Sequence, residues 1–206
     1  MFFVMTEQLR FRVLGDSLAV GVGCARAEQT LGRLLTDVLR SAGHGVDLGV
    51  HAVSGARSTG LAAQVRAAVS TGADLALIVI GANDLTSFTL PAVGARLLHD
   101  AVLDLRRAGG QVVVATAPDL GVVSHVPSAY RAFVSQASGL YARAQADAVV
   151  RAGGVVAAVG SQLFDRFATD PGLFSADRFH PSPAGYALIA DALAPYVLTA
   201  AGRWAA

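Results

Sequence analysis

The sequence predicts an α/β fold, a three-layer α/β/α sandwich around a five-stranded parallel sheet, in a single domain spanning residues 1–206. Three observations predict it. Short β-branched runs alternate with longer Ala/Leu/Arg segments, the rhythm of strands joined by crossover helices. The run Leu75-Ala76-Leu77-Ile78-Val79-Ile80 is apolar at every position, as a strand covered on both faces must be. Gly43, Gly72, Gly109-Gly110 and Gly153-Gly154 fall where helical patterns stop, the place of left-handed caps. A chain of this length buries roughly 70% of its unfolded surface, so a sizeable core needs no covalent staples.

Taken in order, strands are expected at 11–14, 46–53, 75–80, 111–116 and 155–159. Between them, Leu31, Leu34, Leu35, Val38 and Leu39 recur at helix spacing, as do Ala62, Val65, Ala68 and Val69. A third helical pattern runs from Val93 through Leu97, Leu98, Ala101, Val102 and Leu105, and a longer one covers about 128–152. The last helix starts with Ser182 as N-cap and Pro183 at the first helical position, and runs to about Leu198.

Composition excludes several classes. Apolar residues make up 53% of the chain, charged residues 15%, and the formal net charge is +1, with the arginines spread out. No nucleic-acid partner and no anionic surface is implied. Cys24 is the only cysteine, so there is no internal disulfide and no thiolate metal cluster; it reads as a small packed residue. His44, His51, His99 and His125 show no ligand spacing, and neither a metal nor another cofactor is expected. The opening Met-Phe-Phe-Val-Met is too short for a signal h-region and lacks a basic lead. No stretch reaches the length of an uncharged membrane helix, so the expectation is a cytoplasmic protein without an integral membrane segment.

In an open parallel sheet, ligands sit beyond the carboxyl ends of the strands. Gly15-Asp16-Ser17, Ser54-Gly55 and Gly81-Ala82-Asn83-Asp84 follow the first three strands and so share one rim. Ser17 stands at a helix start, where it fits an N-cap as well as a nucleophile beside free backbone N–H groups. Asn83 fits an Asx-turn or a donor to a carbonyl oxygen becoming an oxyanion. Gly55 fits a turn or a backbone donor needing close approach. Near the other end, Asp177 precedes His180 by three residues, just before a helix start. That spacing lets the carboxylate hold one ring nitrogen while the other takes a serine proton. Together Ser17, His180 and Asp177 supply a nucleophile, a base and the base's orienter.

These blocks resemble the SGNH hydrolases, also called GDSL esterases and lipases, in order over nearly the whole chain. Gly15-Asp16-Ser17-Leu18 resembles the first block, Gly55 the second-block glycine, Gly81-Ala82-Asn83-Asp84 the Gly-x-Asn-Asp block, and Asp177-Arg178-Phe179-His180 the Asp-x-x-His block. The resemblance implies the flavodoxin-like SGNH fold and a serine esterase that hydrolyses carboxylic esters of small molecules. It implies Ser17 as nucleophile, His180 as base, Asp177 as orienter, and an oxyanion hole from the Ser17 and Gly55 N–H groups and the Asn83 amide. An acyltransferase using the same triad and a non-catalytic binding module are the alternatives on this fold.

Other signatures are missing: there is no Gly-x-Ser-x-Gly elbow and no Walker A sequence, and Arg26 occupies the third glycine position after Gly21-Val22-Gly23. Leu18, Val20, Leu85, Phe88, Val123 and Phe179 are candidates for an apolar acyl pocket favouring short to medium chains. The segment 118–129 is a candidate lid or specificity loop.

Overall fold

The computed structural model describes residues 8–204, so the apolar opening stretch 1–5 lies outside the described residues. Strands β1 (Leu9–Gly15), β2 (Val46–Val50), β3 (Leu75–Val79), β4 (Gln111–Ala115) and β5 (Val155–Val156) pair in parallel in the order β2-β1-β3-β4-β5. The chain lays β2 on one side of β1 and returns to place β3 on the other. This reversal opens a crevice beyond the carboxyl ends of β1 and β3. Register keeps those ends level: Gly15 is opposite Val79, and Val79 opposite Ala115.

The helices are α1 (Ser17–Val20), α2 (Leu31–Ser41), α3 (Leu61–Ser70), α4 (Ala82–Thr86), α5 (Pro91–Arg107), α6 (Ser128–Arg151), α7 (Gly160–Thr169) and α8 (Pro183–Trp204). Side chains alternate across a strand, and β3 uses this to fill both faces. Leu75 and Leu77 pack with Leu31, Leu35 and Leu39 of α2 and with Tyr186, Leu193 and Val197 of α8. Ala76 and Ile78 pack with Leu61 and Val65 of α3, Leu98, Val102 and Leu105 of α5, and Val149 of α6. The predicted α/β/α layering and five-stranded parallel sheet are therefore the observed ones.

The structure corrects several boundaries. β5 has two residues rather than five, because the chain bends through a Val159 N–H to Ala157 carbonyl bond into α7. That helix was not anticipated, although Leu163 and Phe167 recur at helix spacing. β2 stops at Val50, yet His51 and Val53 still donate to the Val13 and Gly15 carbonyls, which carries the next segment along β1. The last helix runs to Trp204, past the expected end near Leu198.

One helix bears on the expectation of no membrane segment. By length and composition alone, α8 is apolar enough to cross a bilayer, the one such helix among the described residues. Its Gly185, Tyr186, Ala190, Leu193, Val197, Ala200 and Ala201 are instead buried, so its apolar character serves the α/β/α core.

Candidate active site

Two glycines set the geometry at the rim. Gly15 ends β1 and Gly81 follows β3 by two residues, with φ of 133° and 132°, a region closed to most L-residues. A side chain at Gly15 would overlap the Val79 carbonyl, and one at Gly81 would press on Ala117 and Gln145. The chain can therefore leave both strands sharply and place the next residues at the crevice. After Gly15, the Asp16 carboxylate caps α1 by accepting from the Leu18 N–H at 3.1 Å. Ser17 is thus free of capping duty, and the N-cap alternative for it is excluded.

The Ser17 hydroxyl meets His180 Nε2 at 2.9 Å, across 163 residues of sequence. His180 Nδ1 meets Asp177 Oδ2 at 2.6 Å. The Asp177–His180 turn is held by the other carboxylate oxygen, Oδ1, which accepts from the Phe179 and His180 N–H groups, each at 2.9 Å, and from Ser175 Oγ at 2.8 Å. Arg178 takes a left-handed φ of 56° inside this turn, the backbone cost of folding the carboxylate onto the ring. What burial Asp177 has acts to raise its carboxyl, but the bonds from His180, Phe179 and Ser175 hold it well below the usual carboxylate range. It is anionic at neutral pH and keeps the Nδ1 proton on the imidazole side, so Nε2 faces the serine as an acceptor.

Asn83 and Gly55 come from neighbouring segments. One Asn83 amide N–H is donated to the Ala56 carbonyl at 3.1 Å, and its second N–H has no acceptor among the described residues. Gly55 has φ of 78° and no heavy atom within 4 Å of where a Cβ would be. Neither the Ser17 nor the Gly55 N–H finds an acceptor among the described residues. Donors of this kind beside a serine–imidazole pair can stabilise a negative oxygen. Among the described residues, no group of three or more His, Cys, Asp or Glu side chains has metal-holding spacing.

Burial raises the Asp16 carboxyl to about 6, the Leu18 N–H bond opposes the shift, and the nearby Asp84 carboxylate adds to it. Two buried glutamines also support the rim. Gln64 accepts from the Gly15 N–H at 2.7 Å and donates to the Gly15 carbonyl at 2.9 Å. Gln145 accepts from the Ala117 N–H at 2.7 Å and donates to the Ile80 carbonyl at 3.1 Å. Sequence reasoning missed both. The available signal was a polar residue on an apolar helix face: Gln64 lies between Leu61 and Val65, and Gln145 between Tyr141 and Val149.

An apolar cavity of about 100 Å³ adjoins the serine and histidine through their neighbours Leu18, Phe179 and Pro181. Of the predicted pocket residues, Leu18, Val123 and Phe179 line it. Leu85 packs in the adjoining cluster with Ala82, Leu120 and Val123. Val20 and Phe88 do not line the cavity; they are solvent-exposed, Phe88 at 92%. The deep wall comes from the unanticipated α7, through Leu163, Phe164 and Phe167. Within 118–129, Pro118, Asp119, Leu120, Val122 and Val123 line the cavity, and Leu120 is anchored by its N–H to Ser138 Oγ at 3.2 Å.

Sheet order and layering together define a three-layer α/β/α protein with a parallel sheet. Within that class, the chain belongs to the GDSL-like lipase/acylhydrolase family, whose model matches residues 13–188. A GDSL-like esterase of Mycobacterium tuberculosis is 44% identical over 185 residues, 88% of this chain. The chain spans 59% of that relative's length. Among solved structures, TesA is similar with a TM-score of 0.74 and 20% identity, over 90% of this chain and 96% of that one. A catalytic mutant of Axe2, an acetylxylan esterase from Geobacillus stearothermophilus, is similar with a TM-score of 0.74 and 17% identity, over 94% and 96%. At these identities the two solved structures share the fold.

Proposed function

We propose that this chain is a serine esterase that hydrolyses carboxylic esters of short to medium acyl chains. Ser17 Oγ attacks the ester carbonyl while His180 Nε2 takes its proton, and Asp177 holds the imidazole in the required tautomer and stabilises the imidazolium. The N–H groups of Ser17 and Gly55 and the free Asn83 N–H receive the negative oxygen of the tetrahedral intermediate. His180 returns the proton to the leaving alcohol, then activates a water that releases the acid and regenerates Ser17. The observation that carries this reading is the continuous relay from Ser17 Oγ to His180 Nε2 at 2.9 Å and from His180 Nδ1 to Asp177 Oδ2 at 2.6 Å.

The acyl preference rests on the cavity. Its lining is aliphatic and aromatic apart from Thr116 and Asp119, which suits a hydrocarbon tail better than a sugar. Hydrolysis of a p-nitrophenyl ester series from acetate to decanoate by wild type and Ser17→Ala tests both parts. The expected result is activity confined to the wild type, with kcat/KM rising beyond acetate and then falling. Equal turnover by both proteins would remove Ser17 from the reaction. Diversion of the acyl group to added glycerol instead of water would make the chain a transferase.

A further inference from the structure

We propose that Asp84 is a positioning residue for the oxyanion donors, an inference that rests on the esterase reading above. Asp84 is fully buried. Among the described residues it forms no ion pair with Arg, Lys or His. Its carboxylate is held chiefly by Ser58 of another segment: the Ser58 N–H donates to Oδ2 at 2.9 Å and to Oδ1 at 3.2 Å, and Ser58 Oγ donates to Oδ2 at 3.0 Å. A carboxylate without a cation is expensive to bury. In return, charge-assisted bonds fix a partner more strongly than neutral ones do. What Asp84 fixes is the segment that carries Gly55.

Ala52 and Ala56 of that segment pack against the core, but the stretch between them is open. Val53 is 57% exposed, and Gly55 is exposed with open space around it. Its other ties to the rim are the Val53 N–H bond to the Gly15 carbonyl at 3.1 Å and the Asn83 bond to the Ala56 carbonyl. The links to α4 run in opposite directions: Ser58 gives to Asp84, and Asn83 gives to Ala56. An amide is planar, so holding one Asn83 N–H on the Ala56 carbonyl aims the other. The position of that carbonyl depends in turn on where Asp84 holds Ser58. One buried carboxylate thus sets two donors at once, the Gly55 N–H and the free Asn83 N–H, without touching either.

Tyr141 of α6 shields the pair. Its buried hydroxyl lies against Ser58 and Asp84. Burial, followed by the negative charge of Asp84, pushes its phenol above the usual range, so it stays a neutral O–H beside the carboxylate. Gly94 of α5 gives the ring its room, since a side chain there would overlap the Tyr141 hydroxyl.

The test is a double-mutant cycle on a p-nitrophenyl ester with Asp84→Ala, Asn83→Ala and the pair, with thermal stability measured for each. Asp84→Ala is expected to lower kcat by about 10–100-fold with KM changed less than about threefold, a loss confined to transition-state stabilisation. Asp84→Asn, which still accepts from Ser58, recovers part of it. In the Asn83→Ala background the same Asp84 change costs at least about fivefold less, because one donor that it positions is already gone. If Asp84→Ala does not fold, Ser58→Ala carries the cycle, with a smaller kcat loss that shrinks in the same background. Equal losses in both backgrounds, or a change in KM alone, would overturn the positioning role while leaving the esterase reading intact. If Ser17→Ala turns over the same ester as fast as wild type, the esterase reading falls and this inference with it.

Discussion

The two ends of the sheet use buried polar groups in opposite ways. At the amino edge, Arg12 is only 3% exposed and its guanidinium closes bonds to the Gly72 carbonyl at 2.7 Å, the Asp47 carbonyl at 2.9 Å, the Thr71 carbonyl at 3.0 Å and the Asp47 carboxylate at 2.8 Å. Beside it, the Asp74 carboxylate accepts from the Arg10 N–H and Nε, both at 2.8 Å. Burial opposes ionisation of Asp74, but the Arg10 bonds outweigh it and lower the carboxyl. At the carboxyl edge, Gln64 and Gln145 tie down the backbone just as tightly, yet among the described residues the Ser17 N–H, the Gly55 N–H and one Asn83 N–H find no acceptor. Where every bond closes on the protein, the network stabilises the fold. Where some are left open toward a crevice, the same chemistry is available to a substrate.

That contrast breaks first at Ser17. Ser17→Ala is expected to lower kcat for ester hydrolysis by roughly 10⁴–10⁶-fold while changing unfolding free energy by about 1 kcal/mol or less, measured by steady-state kinetics and urea titration. Next, Asn83→Ala should cost on the order of 10²–10³ in kcat; an unchanged kcat would take Asn83 out of the mechanism. The reverse pattern belongs to the amino edge. Arg12→Met strands three backbone carbonyls, so stability should fall by about 3 kcal/mol, with kcat per folded molecule unchanged. A kcat loss in Arg12→Met at full folding would show that the two ends are not independent.

The smallest effect sharpens the comparison through pH. Asp16 is buried at the carboxyl edge with its carboxyl raised from 3.8 to about 6. A carboxyl raised in the folded state favours folding while protonated. The wild type therefore loses that stability as pH climbs from about 4 through about 6. Asp16→Asn keeps a cap for the Leu18 N–H and cannot ionise. Its stability relative to wild type should rise by roughly 2–3 kcal/mol across that window and level off above it. A difference that is flat between pH 4 and pH 7 in urea titrations would contradict the burial-driven shift.

Much of this was legible because local chemistry and global position coincide. The uniformly apolar 75–80 run announces a central strand, and Gly-Asp-Ser-Leu, Gly-x-Asn-Asp and Asp-x-x-His each stand at a strand end or helix start, so Ser17, Asn83, Asp177 and His180 stand out in the sequence as candidates. The supporting residues were harder to read, because their partners are backbone atoms far away in sequence. Gln64 serves Gly15, 49 residues distant, and Gln145 serves Ile80, 65 residues distant; no local pattern encodes a carbonyl. The cavity wall escaped for a related reason. The 155–159 run looks like one long strand, but its pairing ends at Val156 and the chain turns into α7. Phe88 was misplaced because an aromatic residue near a rim suggests a pocket, whereas a left-handed φ of 55° accompanies its exposure to solvent.

The central claim is that Ser17 is activated by His180 and Asp177. Its most direct test is covalent labelling with a fluorophosphonate, followed by peptide mass spectrometry, in wild type, Ser17→Ala and His180→Ala. The account predicts one adduct on the peptide containing Ser17 in the wild type, none in Ser17→Ala, and labelling slowed by orders of magnitude in His180→Ala. An adduct on another residue, or equal labelling rates with and without His180, would contradict it.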